Sequence, residues 1–471
     1  MFNHTIAAIA TPLGPGGIGI IRISGPSAYA ILKRLFVRQL RAKKKRTHFK
    51  SSSNDTFRSH MVYHGYIMGV DRETIIDEVL AIFMQGPKSF TREDVVEIQS
   101  HSGFIVLNRI LSAIIDAGAG LAMPGEFTKR AFLNGRIDIS QAEAVIDLIN
   151  APCETAAQMA SHHLTGGIRD IVQTLTFKLN NLQAKCEAAI EFLETGEDRT
   201  LISDVSREVR NEILPGISKL IQRQKETAIF RKGLHLAIAG SPNVGKSSLL
   251  NRLVEREAAI VSDFPGTTRD VVREYISING IPVVVCDTAG IHETSDPVEC
   301  MGIEKSRNQI HHADIVLMVL DGTRDVNAFE EKLLTEIKED KTIVVVNKDD
   351  VVDEGVIRGI EKRVAKYSWI RVSAKTGTRI DQLKSLIFKD IVHGQQGAGD
   401  TWAAPNLRQR KILEKTSAAL APLTGQGVSG QPIELVSERL KHSLQLIGEI
   451  SGVDGREDLY DHIFNQFCVG K

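Results

Sequence analysis

One eight-residue segment restricts this chain more than any other. Leu234 to Ala239 forms a short apolar run that leads into Gly240-Ser-Pro-Asn-Val-Gly245-Lys246-Ser247, after which Ser248 to Leu253 reads as helix. A glycine-containing turn between a strand and a helix lets backbone N–H groups curl round phosphate oxygens, with the positive end of the helix behind them. Asn243, Val244, Gly245, Lys246, Ser247 and Ser248 are therefore candidate phosphate contacts. Lys246 is placed to reach the outer phosphates as the catalytic cation, and the Ser247 hydroxyl to ligate magnesium. Such a unit implies a doubly wound, mostly parallel sheet around it.

The base is read further along the chain. The apolar strand Thr342 to Val346 ends in Asn347-Lys348-Asp349-Asp350. The Asp350 carboxylate can accept from guanine N1–H and the exocyclic amine. Adenine offers no such pair and leaves the carboxylate unmatched, a discrimination of roughly 10⁴-fold. GTP is expected, and ATP is disfavoured. Ser373-Ala374-Lys375 follows the strand Trp369 to Val372, where a loop backbone meets the guanine oxygen. Asp287-Thr288-Ala289-Gly290 closes the strand Pro282 to Cys286 after an Asn279-Gly280 hairpin turn. Asp287 is expected to hold magnesium through water, and the Gly290 amide to sense the γ-phosphate. Upstream, Gly266-Thr267-Thr268-Arg269-Asp270 stands where a switch loop closes over the metal, which makes Thr268 the second magnesium candidate. The residue after Gly290 is Ile291, which cannot orient water as the glutamine of small signalling GTPases does. Arg269 and Arg273 are candidate charge neutralisers, and both are as readily solvent-facing residues.

The flanks predict a multidomain α/β chain, and 471 residues correspond to roughly three domains of about 150. Residues 1–135 alternate β-rich runs (Ile6 to Ala10, Ile18 to Ile23, Met61 to Gly69, Asp77 to Met84) with a helix over Ser27 to Phe36, an α+β pattern. Residues 136–231 read as helical, with Ile171, Leu175, Leu179, Leu182, Cys186, Ile190 and Leu193 on one stripe. Pro215 and Gly216 are expected to kink or break the next helix. The helical pattern resumes over 393–471 with Ile433, Val436, Leu440, Leu444 and Ile447, so the helical domain is discontinuous and 232–392 is inserted in it. Lysine plus arginine (58) balances aspartate plus glutamate (58), so a nucleic-acid partner must be met by a local patch. Residues 38–50, RQLRAKKKRTHFK, offer one, although a solvated loop is the commoner use of such a block. Five cysteines without C-x-x-C spacing and no apolar run of membrane-spanning length point to a cytoplasmic protein. Gly14 to Gly19 leads into a strand and is no phosphate loop. His60 and His64 lie too far apart along a strand to share an ion, and the pairs His162-His163 and His311-His312 lack further ligands at metal spacing.

The whole chain resembles the MnmE (TrmE) family of tRNA-modification GTPases. The resemblance is carried by ATPLGPGGIGIIRISG (10–25), GPKSFTREDVVEIQSHSG (86–103), PGEFTKRAFLNGRIDISQAEAV (124–145), the phosphate loop with GTTRD, and the terminal FCVGK (467–471). It implies a GTP-hydrolysing subunit that acts with the FAD-dependent partner MnmG. Together they build an aminomethyl-type group at C5 of the tRNA wobble uridine, with the carbon taken from 5-formyl- or 5,10-methylene-tetrahydrofolate. It further implies a homodimer through an N-terminal folate-binding domain. Arg22, Glu97, Arg136 and Lys471 match its folate positions, Arg136 standing where several relatives have lysine. Asn243, Ser262, Phe264 (through its backbone) and Thr267 match its potassium site, and Glu299 matches its water-positioning residue. Cys468 matches a C-terminal cysteine near the one-carbon site, and a small buried hydrophobe in a terminal helix is the plain alternative. A regulatory switch that only recruits partners is the alternative function, and such a switch has no need of Arg22, Glu97 or the terminal Cys-Val-Gly-Lys.

Overall fold

The computed structural model describes residues 4–38, 56–192, 198–254, 273–278, 281–287, 310, 312–392, 401–425, 428–453 and 457–471. Two compact units result: 1–146 with 163–213 and 415–471, and 147–162 with 214–414.

The first unit is built on a seven-stranded sheet of β1 (Ile6–Ile9), β2 (Gly16–Ser24), β3 (Phe36–Val37), β4 (Met61–Met68), β5 (Ile75–Met84), β6 (Val95–Ser102) and β7 (Gly120–Leu121), in the order β3-β4-β5-β6-β2-β1-β7. All neighbours are antiparallel except β1 and β7. The period-two alternation of the strands divides their side chains between two faces. Ala7, Ile21, Ile23 and Ile98 join Ile31 and Leu32 of α1 (Ala28–Leu35) and Leu107 and Ile110 of α2 (Phe104–Asp116) in one core. Ile6 and Ala8 pack instead with Ala122, Phe90 and Phe127, the last on α3 (Glu126–Leu133). Arg22 pairs in register with Ala8, so it stands on this second face.

Helices α4 (Ile139–Ile149), α5 (Glu154–Leu164), α6 (Gly167–Phe192) and α7 (Asp198–Glu208) follow. Val172, Leu175, Leu179, Leu182 and Cys186 of α6 are buried, and α6 packs on the helix Ile433–Ser451. The expected stripe fails at Ile190, which is 43% exposed with Ala189 buried in its place, and its last member, Leu193, lies outside the described residues. Counting on by three and by four from Cys186 reaches both residues, and the helix turns the smaller one inward. Pro215 does not break a helix. It takes the second position of α8 (Leu214–Lys232), directly after a π-helical turn over Val209–Ile213. The π-helical turn just before it is a local departure from the i→i−4 ladder at the place where proline lacks an N–H.

The second unit holds a six-stranded sheet of β8 (Leu234–Ala239), β9 (Arg273–Ile278), β10 (Ile281–Asp287), β11 (Ile315–Asp321), β12 (Thr342–Asn347) and β13 (Ser368–Arg371). Its order is β13-β12-β11-β8-β10-β9, parallel throughout except for the β9–β10 hairpin, in which Ile278 pairs with Ile281 across a two-residue connection. Every residue of β11 and β12 is buried, as a parallel sheet covered on both faces requires. Leu236, Ile238, Leu317 and Val345 lie in one apolar cluster, Ala237, Val316, Met318 and Val344 in the other. Helix α9 (Lys246–Val254) leaves the sheet directly after the loop that follows β8.

Candidate functional site

The parallel sheet brings three sequence-predicted segments to one end of the sheet, after β8, β12 and β13, with β11 between the first two strands. The loop after β8 turns through Gly240 and Gly245, both at positive φ, with Asn243 also left-handed at φ 61°. A side chain at Gly245 would collide with the Asn347 amide, so only glycine fits where the loop passes the end of β12. The Asn347 amide donates to the Val244 carbonyl (2.8 Å), and its Oδ1 accepts from Ala374 N (3.0 Å). One buried side chain thus ties the phosphate loop to the Ser373-Ala374-Lys375 loop. Arg252 of α9 braces the same loop from below, donating to the carbonyls of Ala374 (2.9 Å) and Lys375 (2.8 Å). Lys246 Nζ donates to the Gly240 and Ser241 carbonyls at 2.9 and 2.8 Å, while Ser247 and Ser248 are exposed at the start of α9.

Asp350 and Lys348 follow β12. The Ser373 hydroxyl donates to Asp350 Oδ1 (2.6 Å), and that bond holds the carboxyl below the ordinary aspartate range. Lys348 sits at φ 68° with its Nζ 2.6 Å from Asp321, the last residue of β11. Burial pushes the Asp321 carboxyl up, but hydrogen bonds from Lys348 and Thr323 outweigh it, so the group stays ionised. Asp321 was not among the sequence candidates. Its signal was an acidic residue closing a fully apolar strand. Asp287 ends β10 beside β8. Ser262, Phe264, Thr267, Thr268, Arg269, Thr288, Ala289, Gly290 and Glu299 lie outside the described residues, as do the Asp287 side chain and residues 39–50.

A second constellation lies on the first unit's sheet. Arg22 on β2 faces Glu97 on β6 in register, Nε and Nη2 meeting Oε1 at 2.9 and 2.8 Å. The guanidinium lies 5.7 Å from the ring centres of both Phe90 and Phe127. Arg136 stacks on Phe90 at 4.9 Å, and burial together with the charge of Arg92 presses its guanidinium below the ordinary arginine value.

The end of the chain returns to this face. Arg22 Nη1 donates to the Gly470 carbonyl (3.4 Å), Gly125 N to Cys468 O (3.4 Å) and Phe127 N to Lys471 O (3.2 Å). Gly470 has φ 97°, and a side chain there would strike the Ile9 carbonyl of β1. Cys468 is exposed and lies beyond the helix Glu457–Phe464, with Phe467 buried beside it, so the buried-hydrophobe reading of this cysteine is wrong. Arrangement of the first turn of α3 depends on Arg130. This fully buried arginine meets Glu93 (3.1 Å), Glu126 (2.8 Å) and the His4 carbonyl (3.0 Å). The sequence reading missed Phe90, Phe127, Arg130 and Gly470. Each lies inside a quoted segment, but no spacing rule joins them.

A parallel sheet with a phosphate loop after its first strand and Asn-Lys-x-Asp at the end of β12 defines a GTP-binding P-loop GTPase. Residues 5–136 match the family described as GTP-binding protein TrmE N-terminus, and 139–468 the one described as MnmE helical domain. Curated relatives named tRNA modification GTPase MnmE are similar end to end. That of Carboxydothermus hydrogenoformans is 39% identical over 100% of both chains. That of Acetivibrio thermocellus is 41% identical over 100% of this chain and 99% of its own, and that of Desulforamulus reducens 40% over 100% of both. The chain belongs to the MnmE family of tRNA modification GTPases. Among the described residues no helix is long and apolar enough to cross a membrane.

Proposed function

We propose that the chain hydrolyses GTP as one subunit of a tRNA wobble-uridine modification system. In this reading a tetrahydrofolate one-carbon unit is used, with an FAD-dependent partner of the MnmG type, to build an aminomethyl-type group at uridine C5. The reading rests on the relatives' names and on one observation: the terminal Cys468–Lys471 segment folds back onto the Arg22–Glu97 pair. A recruiting switch has no use for that arrangement.

At the nucleotide end, Asp350 accepts from the two guanine donors. Ser373 keeps it ionised, and Asn347 holds the loop over the base. Lys246 exchanges its two loop carbonyls for the outer phosphates and offsets the charge that gathers there in the transition state. Ser247, exposed at the head of α9, suits magnesium with Thr268. Asn243 suits potassium with Ser262, Phe264 and Thr267, and Glu299 is assigned to position water. Ions held there would supply the charge neutralisation for which Ile291 offers no group.

At the folate end, Glu97 can accept from an aminopyrimidine ring, while Arg136 and Lys471 can meet the glutamate carboxylates. The exposed apolar side chains Ile18, Phe104 and Ile105 of the first unit support a homodimer through that unit. The proposed domains are 1–135, 136–231 with 393–471 as one discontinuous helical domain, and 232–392. Equilibrium binding of 5-formyl-tetrahydrofolate tests the reading. Glu97→Ala should weaken it by about 1.5–3 kcal/mol, the scale of a charged hydrogen bond. Absence of binding to the unaltered protein would favour the switch.

A further inference from the structure

Two guanidinium groups, one of them paired with a carboxylate, stack on a single phenylalanine, and a third guanidinium lies on the same loop. Arg22 and Arg136 both stack on Phe90, and Arg92 lies two residues from Phe90 on the same loop. Arg92 is exposed, is held at φ 60°, and donates from Nη1 to the Asn134 carbonyl (3.0 Å), two residues before Arg136. Left-handed backbone at a non-glycine residue is strained and persists where the surroundings fix it. The nearby carboxylates are committed elsewhere: Glu97 to Arg22, Glu93 to the buried Arg130 and Ser24, Glu126 to Arg130. Among the described residues, Arg92 and Arg136 are therefore neighbouring like charges with no carboxylate paired to either, which costs stability unless an anion joins them. The guanidinium fork suits carboxylates in particular.

We infer that Arg92, with Arg136, forms an additional carboxylate subsite beside the Arg22–Glu97 pair, one that selects folates carrying a γ-linked tail of several glutamates. The inference rests on the folate reading given above and names which folate the site takes. A single glutamate supplies two carboxylates, and each added residue supplies one more, displaced along a flexible chain toward the exposed Arg92. Capping the last turn of α3 is the plain structural use of Arg92, and it accounts for the bond to Asn134 but not for a second, uncompensated guanidinium beside Arg136.

The test compares 5-formyl-tetrahydrofolate with one and with three glutamates, by equilibrium binding to the full chain at fixed ionic strength. The triglutamate should bind the unaltered protein about tenfold more tightly, and the advantage should shrink as salt is raised, because exposed charges are screened. In Arg92→Gln the ratio of the two affinities should fall to about one, and Arg92→Lys should restore part of it. A purely structural role would weaken both ligands together and leave the ratio unchanged, which would overturn the proposal. Equal affinities for the two ligands in the unaltered protein would overturn it too, while leaving the folate reading intact. No binding of either ligand would sink the folate reading and this inference with it.

Discussion

At the scale of single residues, Asp350 and Ser373 make the sharpest claim. The Ser373 hydroxyl holds the Asp350 carboxyl below its ordinary range, so the ionised form to which guanine recognition is assigned persists to lower pH than an isolated aspartate would allow. A depressed carboxyl keeps its function above its own pKa and loses it as pH falls through that value. Ser373→Ala should therefore move the acid limb of GDP affinity to higher pH, as titration calorimetry across pH 3.5–6 can show. An unmoved limb would mean that Ser373 does not tune the carboxylate. Asp350→Asn should weaken GTP and strengthen xanthosine triphosphate, because an amide can donate to the oxygen that replaces guanine's amine. A mutant with unchanged preference for GTP would refute the base assignment.

The strand ends that carry these candidates were legible because phosphate and guanine recognition each need a fixed residue type at a strand end, although the sheet order β13-β12-β11-β8-β10-β9 is not the order of the chain. What joins them was not legible. Asn347 is part of a motif, yet its double hydrogen bond to Val244 and Ala374 appears only when β8 and β12 are placed in one sheet. Arg22 and Glu97 are 75 positions apart, and only the β2–β6 register shows that they are opposite. Periodicity failed at Ile190, where alanine and isoleucine competed for one buried position, and the helix expected to kink or break at Pro215 runs on through a π-helical turn.

At the scale of elements, α3 and the terminal segment behave as one device. Arg130 is fully buried between Glu93 and Glu126, and removing one member of a buried charge set leaves the others uncompensated. Arg130→Ala should lower stability by about 3–5 kcal/mol, read as a drop in the urea midpoint of the first unit's unfolding. A midpoint unchanged within error would show that the network is dispensable. The tail is held differently. Gly470→Ala must place a side chain against the Ile9 carbonyl from a left-handed backbone, at about 1–2 kcal/mol. If the tail must dock for folate to bind, folate affinity should fall about five- to thirtyfold, with GTP hydrolysis retained. Deleting 468–471 should abolish tRNA modification while leaving the thermal unfolding curve in place, since Phe464 and Phe467, which anchor the segment in its apolar cluster, remain.

At the scale of the whole molecule, the chain joins a GTP switch to a sheet whose charged face is completed by its own last residues. Ile291 leaves the transition state without the usual glutamine, and the potassium assignment at Asn243 predicts the consequence. Hydrolysis should be much faster in potassium than in sodium at equal ionic strength, and Asn243→Ala should narrow the difference. Equal rates would turn attention to Arg269. The central claim is that both ends serve one reaction, and reconstituted modification tests it most directly. Purified chain, FAD-dependent partner, folate, GTP and tRNA are combined, and the wobble nucleoside is measured by mass spectrometry. With folate held below saturation, the account predicts that Lys246→Ala abolishes the C5 product and that Glu97→Ala lowers it at least about tenfold while still hydrolysing GTP. Normal product formation by either variant would contradict it.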